Sequence, residues 1–338
     1  MKKLAILAVS VLMVLGWSLS LAEQPSLPVP VKVLLLPKFE VGNMEGDAPG
    51  EAQYFYEHYL KGSDGYELTS GSGTLYVKDG VALCKTGMGK ISAALTTMEV
   101  LSDSRFDFSK AYILSVGCAG SAVETTVMGD VAVISAAVDY DLGHHADARE
   151  LADPEGTTWF HDADFDDSAV VLMDPQLTAR VYALVKDTPV KTTEVTRSVM
   201  AATFEGADWA IRDPHVLLGT VVTGDNYWKG AHGHENALLM TSTYRCPDPF
   251  AMTEMEDVAV ARAVKRMGML ERLILLRVSV NMDVFLKNVT PETLWGEHKP
   301  LQIASEDSTE SADIFVTAME NIFEVGRRII DPILEGGF

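Results

Sequence analysis

Leu273-Ile274-Leu275-Leu276-Arg277-Val278-Ser279-Val280 is apolar at every position but Arg277 and Ser279. A run of strand length without polar alternation reads as a strand covered on both faces, the pattern of a central parallel strand in an α/β sheet. Just beyond it stand Asn281 and Asp283. Polar side chains at the carboxyl end of such a strand lie where open α/β sheets form their ligand crevice. Both are therefore candidate site residues.

Upstream, Met255, Ala259, Ala263 and Met267 recur at four-residue intervals with Val258 beside them, the spacing of a helix with one apolar face. Glu254, Glu256 and Asp257 crowd its start, Lys265 and Arg266 its end, and Gly268 follows, which suits the helix dipole and a glycine stop. Two readings of Glu256 stand side by side. Thr253-Glu254-Met255-Glu256 fits a capping box in which Glu256 merely closes the helix; alternatively, Glu256 faces one pocket with Asn281 or Asp283.

At the other end of the chain, Met1-Lys2-Lys3, an apolar core from Leu4 to Leu19 and Ser20-Leu21-Ala22 have the layout of a secretory signal peptide, with an uncleaved anchor as the alternative. The expectation is a protein exported to the periplasm or the medium, cut near Ala22, with residues 23–338 as one domain. No other stretch approaches the roughly 20 apolar residues of a membrane helix, so the chain cannot itself be a pore. The formal charge of −21 becomes −23 once Lys2 and Lys3 are removed, which opposes binding to nucleic acid or anionic membranes. Cys84, Cys118 and Cys246 make an odd count with no close pair. A disulfide framework is not expected, and Cys84 and Cys118 lie in apolar, strand-like surroundings that suit small core residues.

Between these ends the chain alternates strands with polar loops. Val31–Leu36 reads as the first strand, leading into a glycine-containing loop that carries Glu40 and Glu45. Asp79-Gly80 marks a hairpin between Leu75–Val77 and Val81–Cys84. Thr86-Gly87-Met88-Gly89-Lys90 opens a helix through Leu95 and Met98. Cys84 stands where a Walker A loop needs its first glycine, which discounts a triphosphate site, although amides at this turn can hold an anion or a hydroxyl. Ala111–Val116 is read as a strand ending at Gly117-Cys118-Ala119-Gly120, where small residues let the backbone approach a ligand. Gly129-Asp130 opens the strand Val131–Val138, and the acidic segment 139–167 reads as an excursion over the sheet edge. Neither His144, His145 and Asp147 nor His232, His234 and Glu235 has a zinc-site spacing; no metal is expected. Val216–Val222 is a further strand followed by Tyr227 and Trp228, which either stack on a flat heterocycle or plug the core. An amphipathic helix over Ile314–Ile330 closes the chain.

Taken in order, Thr86-Gly87-Met88-Gly89-Lys90, Val116-Gly117-Cys118-Ala119-Gly120 with Gly129-Asp130, Thr223-Gly224-Asp225-Asn226-Tyr227, Glu254-Met255-Glu256 and Arg277-Val278-Ser279-Val280-Asn281 resemble the nucleoside phosphorylase superfamily and, within it, the purine nucleoside permeases. The resemblance implies a single α/β domain, three layers α/β/α around a mixed twisted sheet, assembled as a homo-oligomer. It also implies roles. Tyr227 or Trp228 would stack on a purine, Met255 would pack on the sugar and Glu256 would bind the ribose hydroxyls, with Gly89, Cys118, Ala119 and Gly120 lining the site. Asn281 would hydrogen-bond the purine, and Asp283 is the second-choice acid. An amide in that position favours 6-oxopurine nucleosides, inosine or guanosine. The implied chemistry is N-glycosidic cleavage through an oxocarbenium-like state, without a cofactor. In one respect the chain departs from the superfamily. Its phosphorylases commonly carry an arginine just before the Gly117 turn, and here stands Leu114-Ser115-Val116. Phosphate as co-substrate would then need Lys38, Lys85, Lys90 or Arg197, or water would be the nucleophile, oriented by Glu40 or Glu45. The competing expectation is a non-catalytic nucleoside-binding component that works with a membrane transporter.

Overall fold

In the computed structural model, which describes residues 27–152, 157–194, 196–197, 212–284 and 309–338, alternate side chains of the first long strand go to opposite sides. Val33 and Leu35 join one apolar core, Leu34 and Leu36 another. That is why these strands carry no polar face: both sides are covered. Ten strands make one mixed sheet: β1 Val33–Leu36, β2 Asp64–Glu67, β3 Thr74–Lys78, β4 Val81–Cys84, β5 Tyr112–Ser121, β6 Val131–Asp139, β7 Val170–Leu172, β8 Val216–Thr223, β9 Phe250–Glu254 and β10 Leu273–Met282. Their order is β7-β6-β8-β9-β5-β1-β4-β3-β2, and β10 pairs with both β5 and β6.

Five helices matter for the site: α1 Lys90–Leu101, α2 Pro175–Val185, α3 Ala231–Thr243, α4 Asp257–Arg266 and α5 Thr309–Glu335. Ala93 and Val100 of α1 and Val258 and Val264 of α4 cover one face of the sheet. Leu177 and Val181 of α2 and Ile322 and Val325 of α5 cover the other. The result is the three-layer α/β/α arrangement. A third, smaller core beneath the 139–167 excursion joins Tyr140, Trp159, Val222, Met240 and Phe250.

The double pairing of β10 shapes the region that follows. It runs parallel to β5, with Leu276 opposite Val116 and Arg277 opposite Gly117, and antiparallel to β6, with Arg277 opposite Ala132. Strands β6, β8, β9, β5 and β10 therefore close into a ring. The sequence predicted a central parallel strand; β10 is parallel on one side only and continues to Met282. Near its end the pairing slips, Ser279 facing Ala119 and Asn281 facing Gly120. Val280 is thus the extra residue of a bulge, a device that re-aims side chains at strand ends.

Two local expectations need correction. Gly117–Gly120 is not a turn after the strand but part of β5, which runs on to Ser121 because β10 supplies a partner for the added length. The helix predicted from Met255 begins at Asp257, because Glu254 still belongs to β9. The hairpin is formed as read, with Asp79 and Gly80 both at positive φ. The signal-peptide segment 1–22 lies outside the described residues. Among those described, no helix is long and apolar enough to cross a membrane.

Candidate functional site

Arg277 stands in the middle of a largely apolar strand, and it is 1% exposed. A guanidinium buried there must have its donors and charge answered. The answer comes from the β9–α4 junction. Nε and Nη2 each donate to a carboxylate oxygen of Asp257 at 2.8 Å. Nη2 also meets Glu254 at 2.7 Å and Glu256 at 3.2 Å, and Nη1 donates to the Cys118 carbonyl at 2.9 Å. Against the opposing effect of burial, Arg277 and Lys38 hold the Asp257 carboxyl below its ordinary value.

The capping question is settled by geometry. Glu254 accepts from the amides of Glu256 and Asp257 at 2.6 and 2.8 Å and from the Thr223 hydroxyl; it, not Glu256, holds the first turn of α4. Glu256 is released to line the cleft, where it accepts from the Gly89 amide at 3.0 Å.

A second buried cation, Lys38, stands opposite. Its amine donates to the Leu36 carbonyl at 2.7 Å and to Ser115 Oγ at 2.6 Å, and Ser115 passes a hydrogen bond to Asp257 at 2.9 Å. Burial and the Arg277 charge lower its pKa. Glu51 joins the same cluster, accepting from the Lys38 amide at 2.7 Å and the Cys118 amide at 2.8 Å. Burial raises the Glu51 pKa. Gly117 makes this convergence possible: a Cβ there would lie 2.6 Å from Arg277 Nη1 and 2.9 Å from Glu51 Oε1.

Of these groups, Lys38, Glu51, Glu254, Glu256 and Arg277 line a cleft of about 290 Å³. Of the residues expected at the site, Cys118, Ala119, Gly120, Tyr227, Trp228, Met255, Glu256, Asn281 and Asp283 all line it. Met255, expected on the core face of a helix, faces the cleft because the helix starts two residues later. Cys118 both packs against the core and lines the cleft, and burial pushes its thiol well above the ordinary range. Gly89 touches the site through the hydrogen bond that its amide donates to Glu256.

The two aromatics differ. Trp228 stacks on Tyr140, centroids 5.0 Å apart and 18° between planes, so one of its faces is already covered. Tyr227 is half exposed, and its hydroxyl accepts from Asn281 Nδ2 at 2.6 Å.

Glu40 is the residue the structure moves out. It accepts from the amides of Ala52 and Gln53 at 3.0 and 2.7 Å and from that of Gly50, capping the helical turn Gln53–Phe55. Glu45 pairs with Lys61 at 2.8 Å. Glu51, eleven residues after Glu40, takes the place in the cleft that the sequence reading gave to Glu40 or Glu45. All three carboxylates sit in one long loop, and only the tertiary fold separates them.

The anion-binding expectations change as well. The amides of Gly89 and Lys90 are occupied by Glu256 and by Asp225 at 2.8 Å. Lys90 Nζ pairs with Asp139 and Asp141 at 2.6 and 2.8 Å, and Arg197 pairs with Asp213. Lys85 lines a neighbouring hollow instead. Nor do the histidines converge among the described residues: His144 pairs with Asp162 at 2.9 Å, His145 Nε2 meets the Tyr140 carbonyl, and His234 is drawn to Asp283 at 2.6 Å.

A family model described as purine nucleoside permease matches residues 30–337. The chain belongs to the purine nucleoside permease family. It is similar to a probable purine nucleoside permease of Schizosaccharomyces pombe, 24% identical over 273 residues, 74% of each chain being covered. Among solved structures, the fold is that of a 5′-methylthioadenosine/S-adenosylhomocysteine nucleosidase from Neisseria meningitidis (TM-score 0.53, 14% identity, 88% of this chain and 98% of that one). Futalosine hydrolase of Helicobacter pylori is comparably similar (TM-score 0.52, 16% identity, 89% and 97% covered).

Two outcomes are expected from the buried cluster. Arg277→Met leaves three carboxylates without their counter-charge and should destabilise the fold by about 3–5 kcal/mol in denaturant unfolding; a loss under about 1 kcal/mol would mean that the cluster is not held as described. Glu51, whose folded pKa is raised, contributes stability that is complete below the ordinary carboxyl value of 4.5 and is lost as pH rises through the folded value. The stability of the wild type relative to Glu51→Gln should therefore fall as pH is raised above 4.5, and a flat difference would contradict the burial of an ionisable group there.

Proposed function

We propose that this cleft binds a purine nucleoside and that the protein hydrolyses its N-glycosidic bond. One observation carries the reading: Glu51 and Glu256 face an apolar cleft while Arg277 and Lys38, the cations on its floor, are already bound to protein groups. Negative charge in a partly dry site favours an oxocarbenium-like sugar and opposes a phosphate dianion. The stretch Leu114-Ser115-Val116, where the superfamily's phosphorylases commonly carry an arginine, offers only one polar side chain, and Ser115 spends its hydroxyl on Asp257. Water is thus the better nucleophile, with Glu51 placed to orient it. Glu256 keeps lone pairs for the ribose hydroxyls, and Tyr227 offers the half-exposed ring to the base. The nucleosidase and hydrolase activities named for the proteins of like fold support the same chemistry, and the family name supports nucleosides as ligands.

A second reading, a binding component that serves a separate transporter, rests on the permease name of the family and of its yeast relative. Base release from inosine, guanosine and adenosine, measured in phosphate-free buffer and again with phosphate, separates the two. Release in both buffers, undiminished without phosphate, is the expected outcome. Dependence on phosphate would replace hydrolysis by phosphorolysis, and tight binding without release would favour the transport reading.

The proposal includes self-association. Met88, which lines the cleft, and Ile91 and Leu95 on α1 are exposed apolar side chains, a pattern that suits an interface between copies. Light scattering should show an oligomer that Ile91→Lys weakens; a monomeric wild type at micromolar concentration would refute it.

A further inference from the structure

Asp283 lies two residues beyond Asn281, lines the cleft and is 1% exposed. Its backbone is fixed on both sides: its amide donates to the Ser121 carbonyl at 2.9 Å, and its carbonyl accepts from the Gly230 amide at 2.8 Å. The side chain is held by one oxygen only. Oδ2 meets His234 Nδ1 at 2.6 Å, while Oδ1 is buried without a protein partner. A buried carboxyl oxygen with nothing to bond is costly unless a ligand or a proton answers it.

His234 projects from the first turn of α3, is itself buried, and packs against the Phe250 ring at 5.7 Å. Its other nitrogen lies 2.6 Å from Glu124, whose side chain reaches solvent. The third charged neighbour, Lys229, donates to the Met282 carbonyl at 2.6 Å; burial lowers its pKa to about 8. Burial raises the pKa of Asp283, and the His234 charge opposes that rise.

Hydrolysis of a nucleoside leaves an electron pair on the departing base, which a proton must meet. Asn281 cannot supply one, since an amide does not ionise and its Nδ2 is committed to Tyr227. Resting on the hydrolysis reading, we propose that Asp283 is the acid that protonates the leaving base, with His234 and Glu124 as positioning residues that set how firmly it holds its proton. As the C1′–N bond breaks, its electron pair stays on the base and the Oδ1 proton passes to a base nitrogen. Water adds to C1′, and the proton it sheds restores the acid form of Asp283, so the cycle balances with one water consumed.

The test compares two leaving groups on the purified protein. Guanosine needs a proton to leave; 4-nitrophenyl β-D-riboside departs as a stable anion and does not. Asp283→Asn should lower kcat on guanosine by about 10²–10⁴-fold and change the nitrophenyl riboside rate by no more than about threefold, which also certifies that the variant is folded. His234→Gln, which removes the cation beside Asp283, should move the basic limb of the guanosine kcat/KM–pH profile upward. Equal losses on both substrates with Asp283→Asn, or an unmoved basic limb with His234→Gln, would overturn the assignment. A wild type that cleaves neither substrate would bring down the hydrolysis reading and this assignment with it.

Discussion

Everything around the cleft depends on placing one arginine inside a sheet. Arg277 enters the interior only because Asp257, Glu254 and Glu256 are all delivered to it by the short passage from β9 into α4. That passage satisfies two demands at once. Glu254 ties down the free amides of the helix start, and the same oxygen accepts from the guanidinium. Lys38 and Ser115 complete the arrangement from the side of β1 and β5.

The chemistry follows from how these charges are shared. Buried ion pairs are poor sources of net stability, because desolvation takes back most of what attraction gives. Their use here is orientation: with the cations bound to protein groups, Glu51 and Glu256 are held at fixed places in an apolar hollow. In the hydrolysis proposed above, such preorganised charge would meet a developing cation without having to reorganise.

Much of this was legible in residue patterns. The apolar run of β10, the Asp79-Gly80 hairpin and the alternation of strands with helices marked the α/β class, because burial on both faces and left-handed turn residues leave local signatures. Asn281 and Asp283 were legible as site residues because they follow an apolar strand, whereas Glu256, read equally as a helix cap, stood out only through the family resemblance. Glu51 was not. Nothing local distinguishes it from Glu40, and their separation into a cleft carboxylate and a helix cap depends on β5 arriving with the Cys118 amide. The extra length of β5 was hidden for a similar reason: Gly117–Gly120 is strand only because β10 pairs with it. His234 stood out only as a metal candidate, since its partners Glu124 and Asp283 are far away in sequence.

The ring of β6, β8, β9, β5 and β10 also bears on how the molecule comes into being. Its last member is made about 140 residues after β6, and the contacts that close it are nearly all long-range, the kind that form slowly. A chain still emerging from synthesis has Lys38, Glu51 and the Gly117 segment but no guanidinium to gather them. The cleft is therefore absent until the final third of the polypeptide has been made, and a partly made chain cannot hold a ligand there.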